Sequence, residues 1–69
     1  MNEASPTDTL KALNKLLIAV LRDLADAGQL DQACTYSGQA WRVLRDAAPE
    51  EASKHNGLLH ALTAPKKTA

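Results

Sequence analysis

The side chains able to do chemistry in this chain are two histidines, His55 and His60, one cysteine, Cys34, and eight carboxylates, among them Asp23, Asp26 and Asp31. A shared metal or a proton relay requires such groups to converge. His55 and His60 lie five residues apart, which on a helix points them in different directions, whereas paired ligands want a spacing of three or four. A half-buried imidazole, and a second one at a helix C-terminus where positive charge is favoured, account for both. Cys34 has Asp31 nearby but no adjacent Lys, Arg or His in sequence to activate a thiol, and reads as a small apolar filler. The carboxylates scatter over an exposed side and a turn, where solvation explains them. The glycines Gly28, Gly38 and Gly57 stand singly, so no phosphate-cradling loop is present. The sequence therefore predicts no catalytic residues, no metal site and no cofactor.

Composition points the same way. A chain of 69 residues makes one domain close to the size at which a lone core is marginal. It is 45% hydrophobic but only 3% aromatic, so its core must come from Leu and Ala, which favour helices over strands. Eight basic and eight acidic side chains cancel to a formal net charge of zero, which removes the long-range field expected of a binder of nucleic acid or anionic membrane. The one basic cluster is Lys66-Lys67. A lone cysteine allows no internal disulfide and lacks the partners of a structural zinc site, and Met1-Asn2-Glu3-Ala4-Ser5 lacks the basic start of a signal peptide. A cytoplasmic location is the expectation. The apolar run from Leu16 to Leu21 is far short of the ~20 residues that span a bilayer.

The positioning elements follow from the apolar spacing. Leu10, Leu13, Leu17, Val20, Leu24 and Ala27 fall on one stripe of a helix predicted over 6–27. Ser5 supplies a cap hydroxyl, Pro6 suits the first helical position, and Gly28 suits the left-handed position beyond the end. Gln29, Leu30 and Asp31 form a connection short enough to force an antiparallel return, with Asp31 as the expected N-cap of a second helix over 32–47. There Ala33, Ser37, Ala40, Leu44 and Ala47 make an inner seam, flanked by Tyr36 and Val43 on one side and Trp41 on the other. Pro49 opens a third helix over 49–62, with Ala52, His55, Leu59 and Leu62 on one face and the breaker pair Asn56-Gly57 inside it. Residues 1–5 read as a flexible start and 63–69 as a disordered tail. The fold class is all-α, an antiparallel helical hairpin with a shorter third helix, bundle-like. Its predicted core is Leu13, Leu17, Val20, Leu24, Ala33, Ala40, Leu44 and Leu59.

From Asn14 to Ala47 the hairpin resembles a single tetratricopeptide repeat, a helix-turn-helix unit of about 34 residues. Leu17, Val20, Leu21 and Leu24 occupy the first-helix core positions of that pattern, Gly28 the turn, and Ala33 and Ala40 the two small-residue sites. Gly28-Gln29-Leu30-Asp31-Gln32-Ala33 is most similar to the family's turn. The sequence departs from the family where its aromatic position in the second helix falls on Ser37, with Tyr36 one residue off, and where its closing proline falls near Arg45, whereas Pro49 lies later. The resemblance implies helical packing and binding of peptides or proteins.

The apolar run from Leu16 to Leu21 wraps around a helix and cannot all face one partner. On the stripe analysis Ile18 sits opposite the leucines, among Lys11, Asn14, Lys15, Arg22 and Ala25, and is expected on the surface. With Leu21 and Leu10 it forms a candidate contact patch, although single exposed apolar residues are also common without function, and the third helix is a further candidate to cover it. Trp41, above the notch at Gly38, is expected to anchor the third helix or to lie in an interface. The candidate interaction residues are thus Leu10, Ile18, Leu21 and Trp41. These features predict a small non-enzymatic interaction module, an adaptor or chaperone-like subunit docking through its Leu-rich first helix. The alternative is a self-assembling homo-oligomer, in the simplest case a homodimer. A DNA-binding helix-turn-helix, with Gln32, Gln39, Arg42 and Arg45 on its second helix, has little basic support.

Overall fold

Ser5 starts the first helix as its residue type requires: its backbone is extended and its hydroxyl accepts the Asp8 amide at 3.1 Å, in a computed structural model that describes residues 5–64. Pro6 follows at the first helical position, where its missing N–H is not needed. Three α-helices result: α1 (Pro6–Asp26), α2 (Leu30–Leu44) and α3 (Pro49–Thr63). The all-α, three-helix fold agrees with the one read from sequence, although α3, at 15 residues, is as long as α2 and shorter only than α1. The predicted loose start and tail fall largely on residues 1–4 and 65–69, outside the described residues.

Gly28 closes α1 in the left-handed region at φ 92°. Its amide reaches the Ala25 carbonyl and the Gln29 amide reaches that of Leu24, the paired bonds of a Schellman cap. Helix α2 begins earlier than predicted. Asp31 lies inside its first turn instead of capping it, and Gln29 at the cap position gives no side-chain bond, while Ala33 N–H bonds to the Gln29 carbonyl. At the other end α2 stops at Leu44, and a turn bonded from Ala48 N–H to Leu44 O at 2.7 Å leads into Pro49. Proline pushes its predecessor out of helical geometry, and Ala48 sits at φ −143°. Helix α3 runs unbroken through Asn56-Gly57.

Helix α3 packs chiefly on α2, with a narrower contact to α1. Among the described residues the fully buried apolar ones are Leu21, Ala33, Ala52 and Leu58. No described residue approaches the space above Gly38 or Gly57 within 4 Å, so neither marks a close approach of helices. The notch expected at Gly38 therefore holds no packed neighbour. Gly38→Ala is expected to stabilise the domain by about 0.5–1 kcal/mol, because it removes unfolded-state freedom from a helix interior without a clash. Thermal unfolding of the variant checks this, and a lower melting temperature would contradict it.

Candidate functional site

The rotation of α1 is the first departure from the sequence reading. Leu21, expected on the free surface, is 2% exposed, and Asn14, expected beside it among solvated lysines, is 3% exposed. Ile18 and Leu10 are half-buried. Leu13, Leu17 and Val20, expected in the core, instead face outward, while Leu24, Ala40, Leu44 and Leu59 are half-buried and Ala33 is buried as predicted. The stripe Asn14, Ile18, Leu21 and Ala25 therefore meets the rest of the fold, about 100° around the helix from the leucine stripe.

A polar network explains that rotation. His55 in α3 is fully buried, with Nε2 at 2.5 Å from Asn14 Oδ1 of α1 and Nδ1 at 3.2 Å from Ser37 Oγ of α2. Asn14 Nδ2 donates to Glu51 Oε1 at 3.1 Å and to the Glu51 carbonyl at 3.3 Å. Those acceptors orient the amide, so its oxygen faces the imidazole and Nε2 carries the proton. Nδ1 is then the acceptor in the neutral ring, and the Ser37 hydroxyl lies within reach of both it and the His55 carbonyl at 3.3 Å. Lys54 Nζ donates to both Glu51 carboxylate oxygens, at 3.1 and 3.0 Å. Every buried side-chain N or O among the described residues has a partner.

The electrostatics match this geometry. The Lys54 ammonium, followed by the Asn14 amide, holds the Glu51 carboxyl below its ordinary pKa, with burial opposing them. Burial pushes His55 below its ordinary value, and the Glu51 charge partly offsets the effect. A hydroxyl, an imidazole and an amide in line share the order of a nucleophile, a base and an orienting group. Ser37 has no solvent exposure, however, and no substrate atom can reach its oxygen in this conformation. The network instead joins the three helices at one level.

The opposite face of the hairpin is apolar and uncovered. Leu13, Leu16 and Val20 of α1 are 63%, 64% and 60% exposed, and Val43 of α2 is 77% exposed, with Leu17 and Tyr36 beside them. Leu10, Leu13, Leu17, Ala40, Val43 and Leu44 line a groove of about 260 Å³ between the two helices, with Asn14 also contributing to its lining. Monomeric soluble proteins rarely leave a contiguous apolar patch of this kind bare, so it is a candidate binding surface.

The four residues singled out from sequence do not form one surface. Leu10 borders this groove, Ile18 lies by Lys11, Lys15 and Lys54, Leu21 is in the core, and Trp41 is on another flank of α2. Leu21 is thus corrected from patch residue to core residue, because α1 turns it inward with Asn14. Trp41 is about one-third exposed and stacks under the Arg45 guanidinium, 5.2 Å from the ring centroid. The missed signal is Leu16, Tyr36 and Val43, all apolar at positions that the inner seams cannot use. Among the described residues no three of His, Cys, Asp and Glu group as metal ligands, and no helix is long and apolar enough to cross a membrane. No protein-family model, curated protein or solved structure matches the chain.

Proposed function

We propose that this chain is a non-enzymatic helical interaction module whose α1–α2 face docks on protein. The observation that carries this reading is the uncovered apolar face itself, where Leu13, Leu16, Val20 and Val43 each keep well over half of their surface in solvent. Apolar surface removed from water on docking contributes roughly 25 cal/mol per Å², so leaving these side chains bare has a free-energy cost that a partner relieves. The helical pair then offers a groove of the kind that receives the apolar stripe of another helix.

A photo-crosslinking residue in place of Val43, introduced in full-length chain inside cells, tests the proposal. Adducts are expected from this position and not from Arg42, which is exposed on the Trp41 flank of α2. Equal and negligible adduct formation at both positions would overturn the interaction reading.

A further inference from the structure

From the placement of the bare apolar residues we infer that the occupant of the α1–α2 face is a second copy of this chain, packed by a two-fold axis into a four-helix core. The inference rests on the interaction reading above and names its partner. On α1 the exposed residues Leu13, Leu16, Leu17 and Val20 are spaced symmetrically about the midpoint between Leu16 and Leu17. On α2 the exposed Tyr36 and Val43 are centred between Gln39 and Ala40. In an antiparallel hairpin whose first helix ends at Asp26 and whose second begins at Leu30, residues equally far from the turn lie level. Both midpoints are then about ten residues, or about 14 Å of helix, from the turn. One two-fold axis running across the face at that level serves both helices. It sets α1 antiparallel to its copy with Leu13 opposite Val20, sets Leu16 and Leu17 each across the axis from its own copy, and sets Tyr36 opposite Val43. A surface that must be complementary to itself requires this kind of symmetry, whereas docking on an unrelated protein does not.

Area and charge agree with that occupant. The six side chains expose roughly 600 Å² per chain, so a pair that covers them completely buries about 1,200 Å², the lower bound for a stable specific interface. None of the six is charged, and the chain as a whole is neutral, so two copies meet without mutual repulsion. Asp23 is the charge bordering the outer edge of the α1 patch, where Ala12, Ala19 and Leu16 are its neighbours around the helix. Under the two-fold its copy lies about 20 Å away along the helix, beyond the screening length at physiological salt. Pairing also adds Leu and Val side chains to a core that holds only Leu21, Ala33, Ala52 and Leu58 fully buried among the described apolar residues.

Sedimentation equilibrium of the full chain over a dilution series tests the inference. A dimer is expected, and Leu16→Glu is expected to weaken it at least about 100-fold by placing a carboxylate near the axis in each copy. Helicity should persist, since Leu16 is exposed. Leu16→Lys should dissociate likewise. Mixing the Leu16→Glu and Leu16→Lys chains should restore a one-to-one heterodimer, because the carboxylate introduced in one chain then faces the ammonium introduced in the other across the axis. As a second measurement, a Cys34→Ser chain bearing Leu16→Cys should oxidise to a covalent dimer, whereas one bearing Ile18→Cys should not. A monomer at every concentration, or a dimer that survives Leu16→Glu and is lost on Ile18→Glu, would overturn the inference. If the chain is monomeric and Val43 crosslinks to a protein of different mass, the inference fails while the interaction reading stands. If it is monomeric and Val43 gives no adduct, both fail.

Discussion

Asn14→Ala is expected to destabilise the domain by about 2–4 kcal/mol, a fall on the order of 10–20 °C in melting temperature for a chain of this size. The substitution removes both ends of the bridge between α1 and α3. His55 Nε2 loses its acceptor, and Glu51 loses one of the two side chains that bond its carboxylate. Buried groups left without partners forfeit their hydration with no compensating bond, which outweighs the few tenths of a kcal/mol gained from the better helix propensity of alanine. The contact between α1 and α3 is the narrowest of the three, so little other packing is available to hold them together. Lys15→Ala, one residue away and exposed, is the control and should stay within about 0.5 kcal/mol of the parent chain. Chemical denaturation of both variants, followed by circular dichroism, decides the matter. An Asn14→Ala chain as stable as the Lys15→Ala chain would mean that the network contributes nothing to the fold.

Stability is also expected to fall in two stages as the solution is acidified. His55 has its folded pKa held below the ordinary value of 6.5 by burial, against the raising effect of the Glu51 charge on its own helix. From α1 it meets the uncharged Asn14, with Lys11 further out acting on Glu51, and from α2 it meets the uncharged Ser37. The unfolded chain therefore takes up its proton first. The stability linked to His55 is complete above pH 6.5 and declines as pH falls from there towards the lowered folded value. Glu51 sets the second stage. Its folded pKa lies below the ordinary 4.5, chiefly through Lys54, so its contribution is present above pH 4.5 and is lost as pH falls through the lowered value. Melting temperatures from about pH 8 to about pH 3 read out both stages. His55→Gln keeps a donor for Asn14 but cannot titrate, and should flatten the first stage while lowering stability at every pH. A parent chain with the same melting temperature at about pH 7.5 and about pH 5.5 would contradict the assignment.

The helices themselves were legible in the residues because their causes are local. Ser5 and Pro6 start α1, Gly28 ends it, and Pro49 both closes the preceding turn and opens α3, each through a backbone constraint acting within a few residues. The inward direction of Ser37 and His55 was legible too, since each is flanked by apolar residues at helical spacing. Which side of α1 faces inward was not. Two apolar arcs compete on that helix, and the richer one, Leu13, Leu17 and Val20, wins any count of hydrophobicity along a single element.

Composition and local spacing determined an all-helical hairpin with a third helix and a Leu- and Ala-built interior. Only the tertiary structure decided the rotation of α1, because that choice depends on side chains supplied by the other two helices. Asn14 is costly to bury until Glu51 and His55 bring matching hydrogen-bond partners from 37 and 41 residues away, and those bonds turn the leucines outward.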